Sequence, residues 1–169
     1  SKIFLGLLLI ALSLTVNALP AAPDNNTTDI HKAAHTGDFS YLQKHLTQKN
    51  INSWDSSCRT PLHCAVSRNN NLACVELLVT KGAWLHAIDK ERNLPLHCAA
   101  FHGNLDYILK LLAYAIHSQY NTADLVNAQN KQGLTPLHFA VMGASYDTMI
   151  QTSLTKKPAA IEIEKYRPN

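Results

Sequence analysis

The stretch that decides the fold is Thr60-Pro61-Leu62-His63-Cys64-Ala65, because closely related stretches occur twice more in the chain. The second and third copies begin at Leu94 and Thr135, and the three prolines are separated by 34 and then 41 residues. A weaker copy surrounds His31, which precedes His63 by 32 residues. Self-similarity at such a period indicates a stack of repeated units.

Each copy carries residue types that begin a helix. The hydroxyl groups of Thr60 and Thr135 can accept the free N–H groups of a first helical turn. The prolines that follow, which lack an N–H group, fit that turn: Pro61, Pro95 and Pro136. Apolar residues then recur at helical spacing over residues 72–78 and 105–112. The pattern therefore predicts a pair of helices in each unit.

The period of 32 to 34 residues and the phrase T-P-L-H-x-A resemble the ankyrin repeat over residues 27–157. The resemblance implies an all-α fold, a helix-turn-helix repeat solenoid with projecting finger loops. Repeats are expected at about 27–59, 60–93, 94–134 and 135–157, after a linker at 19–26 and before a C-terminal tail at 158–169. In the family the repeated histidine is structural. The motif residues that take this structural role are Thr60, Pro61, His63, Pro95, His97, Thr135, Pro136 and His138.

Two repeats depart from the family pattern. The third is about eight residues longer, and residues 113–126 are expected to form an extended second helix followed by a loop. The last repeat loses the apolar pattern after Met142, and its second helix is expected to be polar. Polar outer faces are typical of the terminal repeats of a solenoid, since each has only one neighbour.

Residues 1–18 have the order of a secretory signal peptide. Lys2 precedes an apolar run from Ile3 to Val16, and a cleavage site is expected after Ala18. The run is shorter than the ~20 residues that span a bilayer, although an uncleaved anchor stays open if residues 19–22 extend it. The sequence therefore predicts an exported protein, periplasmic or secreted and most naturally bacterial. Residues 25–28 contain two overlapping N-glycosylation sequons, which matter only in a eukaryotic pathway.

Composition and charge narrow the class of partner. The chain has 169 residues, is 46% hydrophobic and carries a net charge of +3 without any block of like charge. A dedicated nucleic-acid binder concentrates its cations, because phosphate neutralisation dominates its affinity. We therefore expect a protein partner, no nucleic acid, no membrane after signal cleavage, and a monomer.

Stacked ankyrin-like repeats present a concave groove made of finger loops and one face of the first helices. Interface hot spots favour Trp, Tyr and Arg, with Phe and Met also enriched in interface cores. The residues predicted to bind the partner are Trp54, Arg59, Arg68, Arg92, Phe101 and His102. Packing of Trp54 or Phe101 against an adjacent loop stays an alternative, and Trp84 is expected to pack.

The residue pattern gives little support for metal binding, catalysis or disulfide formation. His31 and His35 have a zinc-compatible spacing, but no third ligand is in register, so no metal, cofactor or catalytic residue is predicted. Cys64 and Cys98 occupy equivalent positions about 8–10 Å apart, too far for a disulfide. Cys74 is expected in the core, and Cys58 is expected to be the exposed cysteine. Bridges from Cys64 to Cys58 or Cys74, and a contact of Cys58 with a partner or a second copy, stay open.

The sequence thus predicts a non-catalytic exported module that binds a protein partner as a scaffold or inhibitor. A second possibility is a secreted effector that acts on a host or foreign-cell protein, with residues 113–126 or 158–169 making the specific contact. A weaker one is a metal- or thiol-dependent protein that uses its nine histidines and four cysteines.

Overall fold

The computed structural model describes residues 25–68 and 71–154, and describes side chains within residues 29–68 and 71–145. The predicted signal peptide, most of the linker and the C-terminal tail lie outside these residues. The described part is helical and contains no β-strand. Its helices are α1 (Asn25–Thr36), α2 (Phe39–His45), α3 (Pro61–Val66), α4 (Leu72–Thr80), α5 (Pro95–Phe101), α6 (Leu105–His117), α7 (Thr122–Val126) and α8 (Pro136–Leu154).

Three helix pairs form consecutive layers, namely α1 with α2, α3 with α4, and α5 with α6. First helices pack on first helices along the stack, from α1 to α3 to α5 to α8, and second helices pack in the order α2, α4, α6. The core lies between the two rows and includes Leu62, Val75, Leu78 and Leu111, all at most 2% exposed. The chain is therefore an all-α helix-turn-helix solenoid with projecting loops.

Glycine and an Asx residue separate the helices of the first and third pairs. Gly37 has φ 79° and Gly103 has φ 62°, a region that costs other residues about 1–2 kcal/mol. The next residue, Asp38 or Asn104, accepts a backbone N–H of the following helix through its side chain. A left-handed turn followed by an N-cap thus ends one helix and begins the next.

The third repeat accommodates its extra residues with an additional helix. α6 has 13 residues against nine in α4, and a turn with φ 59° at Gln119 leads into α7. Leu125 of α7 is 2% exposed, and Tyr120 in the turn lies 5.2 Å, ring to ring, from His86 of the preceding repeat. Residues 113–126 were expected to form an extended helix and a loop, so α7 is a finding beyond that expectation.

The fourth repeat corrects the prediction of a helix pair at 135–157. One continuous helix, α8, runs from Pro136 to Leu154. Gly143 is followed by Ala144 and Ser145 instead of an Asx cap, so the local sequence favours continuation of the helix. Gly143 is used for close packing, since a Cβ at this position would overlap the carbonyl oxygen of Phe101 in α5.

Candidate functional site: finger loops and first-helix ends

Three finger loops, at residues 55–59, 89–93 and 130–134, share one hydrogen-bonded conformation. The loop begins with Asp55, Asp89 or Asn130, whose side-chain oxygen accepts backbone N–H groups two and four residues later at 2.8–3.0 Å. The backbone N–H of the same residue donates to the carbonyl four residues later at 2.9–3.0 Å. These Asx turns have the spacing of the repeats, a signal in the sequence that the motif search did not use.

The fourth residue of each finger loop adopts a left-handed conformation. It is Cys58 in the first loop (φ 57°), Arg92 in the second (φ 63°) and Gly133 in the third (φ 76°). Glycine adopts this conformation without steric cost, whereas an L residue with a Cβ is disfavoured by about 1–2 kcal/mol. Arg92, which is predicted to bind the partner, is therefore an exposed residue with a strained backbone conformation.

The repeated histidines tie each loop to the repeat before it. The Thr60 N–H donates to Nδ1 of His63 at 3.1 Å, and Nε2 donates to the Asn93 carbonyl at 3.0 Å. His97 repeats the arrangement with the Leu94 N–H and the Leu134 carbonyl, at 3.1 and 3.2 Å. One ring nitrogen must accept while the other donates, so both rings are neutral. His31 Nε2 lies 3.0 and 2.9 Å from the carbonyls of Ser53 and Arg59.

The buried environment of the His63 and His97 rings shifts their pKa values. Burial lowers the pKa of His63, and the hydrogen bond to the Asn93 carbonyl opposes this only in part. Burial also lowers the pKa of His97. The fourth histidine, His138, receives the Thr135 N–H at 3.2 Å and lies 2.8 Å from the Thr135 hydroxyl, but it is exposed.

Neighbouring finger loops are also bonded directly to each other. The Lys90 N–H donates to the Ser57 carbonyl at 3.2 Å, and the Lys131 N–H donates to the Glu91 carbonyl at 2.9 Å. Between the second and third loops, the Asn130 side chain donates to Asn93 Oδ1 at 3.0 Å. The three loops therefore form one continuous edge whose conformation is set by backbone groups.

The predicted contact residues divide into exposed and internally engaged side chains. Arg68 and Arg92 are exposed, and the Arg68 Nε donates to His35 Nε2 of the preceding repeat at 3.2 Å. His102 is exposed in the position of the third repeat that Arg68 takes in the second, 34 residues earlier. Arg68 and His102 lie just beyond the C-terminal ends of first helices, whereas Arg92 lies in the second finger loop.

Arg59 is engaged within its own loop. Its guanidinium lies 2.8 Å from Asp55 Oδ2, and both side chains are partly buried. Burial opposes ionisation of Asp55, but hydrogen bonds from Arg59 and Ser57 outweigh this effect and lower its pKa. Arg59 thus stabilises the first finger loop, the role that Asn93 takes in the second by donating to Asp89.

The two tryptophans differ in exposure. Trp54 is half-buried and its indole Nε1 is inaccessible, whereas Trp84 is 54% exposed. The prediction that Trp84 packs is therefore wrong, because its loop between Gly82 and Ile88 directs alternate residues outwards. Trp54 fits the alternative of packing against its neighbours.

Phe101 is also half-buried and lies within packed aromatic groups. Its ring centroid is 5.4 Å from that of His102 and 6.4 Å from that of Phe139. Its carbonyl borders Gly143 of α8. Phe101 therefore lies at the packing interface between the third and fourth repeats.

Some charged side chains on the described surface form ion pairs and others do not. The ion pairs among the described residues are Arg59–Asp55, Lys110–Glu76 at 2.6 Å and Lys131–Glu91 at 3.8 Å. Within that part of the chain, the exposed Arg68, Lys90 and Arg92 form no ion pair. The loop edge and the helix ends therefore present cationic groups to a ligand.

The cysteines are all free. Cys74 is 1% exposed, as expected for a core residue, whereas Cys58 and Cys98 are partly buried. Burial raises the pKa of the Cys64 thiol to about 11 and that of Cys98 to about 12, which makes both poor nucleophiles near neutral pH.

Residues 25–68 and 71–154 bring together no group of three His, Cys, Asp or Glu suited to a metal ion. No helix in those ranges is long and apolar enough to cross a membrane.

Comparisons with known proteins agree with this architecture. A family profile described as "Ankyrin repeats (3 copies)" matches residues 7–89 and 30–124. A transient receptor potential cation channel subfamily A member 1 homolog of Caenorhabditis elegans is 32% identical over 144 residues, which cover 75% of this chain and 12% of the relative. Notch-regulated ankyrin repeat-containing protein A of Danio rerio is 33% identical over 100 residues, which cover 58% of this chain and 88% of the relative.

Inversin of Danio rerio is 34% identical over 90 residues, which cover 52% of this chain and 9% of inversin. The chain thus spans about a tenth of the length of the channel homolog and of inversin. The matched profile covers more than half of the chain and includes the repeated motif, the loop-locking histidines and the layered helix pairs. The chain belongs to the ankyrin-repeat family.

Proposed function

We propose that this protein binds one protein partner through the concave face formed by its finger loops and the ends of its first helices, as a scaffold or inhibitor. The ankyrin-repeat family is generally a non-catalytic interaction module. In this chain, backbone hydrogen bonds fix the loops before any partner arrives, so little ordering entropy is lost on binding. Preorganisation of this kind favours a stable complex.

The conformation of Arg92 is the observation that carries the proposal. Its φ of 63° is disfavoured for an arginine, while the equivalent residue of the next loop is Gly133. Strained backbone positions cluster at functional sites. The exposed guanidinium of Arg92 forms no ion pair with another described residue and is available for a bidentate contact with a carboxylate.

The second cationic contact is supplied by Arg68. Its Nε donates to Nε2 of His35, a contact that orients the guanidinium. A partner that meets both arginines carries carboxylates at the matching positions. Its association is then faster and tighter at low ionic strength.

Affinity capture with the purified protein as bait tests this function. The double variant Arg68→Ala/Arg92→Ala removes two concave cations, and Lys44→Ala/Lys81→Ala removes two exposed cations elsewhere. One protein retained in stoichiometric amount by the wild type and the lysine variant, but lost by the arginine variant, is the expected result. Equal retention by both variants would show that the concave face is not the binding surface.

Export remains part of the proposal and depends on residues 1–18. The family profile begins to match at residue 7, inside that segment, and the relatives are animal proteins, so neither a leader nor a bacterial periplasm gains support from them. Expression of the full chain in animal cells is informative because Asn25 and Asn26 lie in sequons. Secretion with a glycan removable by an amidase supports export, and retention of unglycosylated protein in the cytosol contradicts it.

A further inference from the structure

The outer side of α6 carries an apolar stripe. Leu105, Leu109 and Ile116 lie on one side of the helix and are 62%, 55% and 69% exposed. The other side of the helix is buried through Tyr107 and Leu111. In the preceding layers, the second helix is covered by the second helix of the next repeat, because α2 packs on α4 and α4 packs on α6. Within residues 25–68 and 71–154, no such helix covers the outer stripe of α6.

A second apolar face lies on α8 at the same end of the stack. Leu137 and Val141 are one turn apart and are 72% and 62% exposed. The opposite side of α8 packs on α5 through Phe139 and Gly143. Because α8 is a single helix, the fourth layer contains one helix among the residues described up to 154, where each earlier layer contains two. The end of the stack is therefore a step, with α8 beside an unfilled position above α6.

In contrast to the monomer expected from the sequence, we propose that α8 of a second copy fills this position, so that two chains form a symmetric dimer through their α6 and α8 faces. A twofold axis in the plane of the fourth layer places each α8 against the α6 of the other chain. The two α8 helices then complete one shared layer between the two third repeats. The contact is self-complementary and closes after two chains, as in most homo-oligomers.

The charges of the two faces agree with this occupant. Residues 136–145 include no Asp, Glu, Lys or Arg, and the stripe on α6 has none. Lys110, at the edge of that helix, is already paired with Glu76 of α4. Burial of this stripe against residues 136–145 therefore encloses no charged side chain of either face.

The two apolar faces have similar lengths. At about 1.5 Å per residue, residues 136–145 of α8 span about 15 Å and residues 105–116 of α6 span about 18 Å. A single exposed apolar residue needs no explanation, but two adjoining stripes at one end of a molecule indicate an interface.

Sedimentation velocity of the purified protein tests the dimer. The wild type is expected to sediment with twice the chain mass of 18.7 kDa. Val141→Glu in α8 and Leu109→Glu in α6 are each expected to abolish the dimer, since each places a charge in the shared layer. Trp84→Glu introduces the same charge at an exposed apolar residue outside the interface and leaves the dimer intact.

Cross-linking distinguishes this arrangement from direct contact between the two α6 helices. In a Cys58→Ser background, a short bis-maleimide is expected to join a mixture of Leu109→Cys and Val141→Cys chains, and neither variant alone. Efficient linking of Leu109→Cys to itself overturns the shared layer. A wild type that stays monomeric up to about 1 mM, the weak end of specific association, overturns the dimer altogether. So does a dimer that survives both glutamate variants while circular dichroism shows them folded.

Discussion

Replacement of Arg92 by glycine is expected to stabilise the protein although it removes a long side chain from the surface. Arg92 has φ 63°, which costs a residue with a Cβ about 1–2 kcal/mol. Glycine also has more conformational freedom in the unfolded chain, which reduces this gain in the free energy of unfolding by roughly 0.5–1 kcal/mol. The difference is a gain of about 0.5–1 kcal/mol, or about 1–4 °C in Tm for a chain of this size.

Two companion variants isolate the backbone as the cause. Arg92→Ala removes the same guanidinium but keeps a Cβ in the left-handed region, so its stability should stay within about 0.5 kcal/mol of the wild type. Gly133→Ala makes the reverse change in the next loop, where an added Cβ meets no atom within 4 Å. Its expected loss of about 1 kcal/mol is therefore conformational alone.

Urea unfolding followed by far-UV circular dichroism provides the comparison, with midpoints interpreted at a common slope. The order of stability is expected to be Arg92→Gly, then wild type and Arg92→Ala together, with Gly133→Ala least stable. Equal stability of Arg92→Gly and Arg92→Ala would refute the argument from strain. Both Arg92 variants should bind the partner equally weakly, because binding depends on the guanidinium and stability on the backbone.

Two further predictions concern the loop-locking histidines and the joint of the fourth repeat. The pKa values of His63 and His97 are lowered in the folded protein. The unfolded chain therefore binds more protons than the folded one as the pH falls below about 6.5. The free energy of unfolding should decline by up to about 1.4 kcal/mol per pH unit for each histidine. Urea midpoints measured between neutral and mildly acidic pH check this, and a flat profile would contradict the neutral buried rings. Gly143→Ala should destabilise the protein although alanine favours helices by about 1 kcal/mol, because its Cβ overlaps the Phe101 carbonyl. Ser145→Ala, at an exposed position of the same helix, should not, and thermal unfolding of both variants decides whether Gly143 is a packing residue.

Placement of the candidate site could be anticipated only in part. The repeat motif puts Arg68, Arg92 and His102 on loops and helix ends, and the structure leaves all three exposed. It could not indicate that Arg59 is held by Asp55, since that pairing depends on the folded conformation of the loop. Exposure of Trp54 and Trp84 likewise depends on which neighbouring loop covers each ring.

The amino-acid sequence alone is enough to specify the repeated unit. Helix starts, glycine turns and the histidine that bonds to the next loop are encoded within a few residues, and each recurs with the period of the chain. These are local hydrogen-bonding preferences, and they survive in any copy of the motif. The Asx turns at Asp55, Asp89 and Asn130 follow the same rule and could have been found by the same period.

The form of the fourth repeat, in contrast, depends on tertiary contacts. Gly143 has the residue type of a turn, yet its missing side chain is used for contact with α5, and α8 continues as one helix. The added helix α7 and the uncovered stripe on α6 also depend on which surface lies against which. Local preferences fix the conformation of a repeat, but the exposure of its faces is set by the neighbours that pack against it.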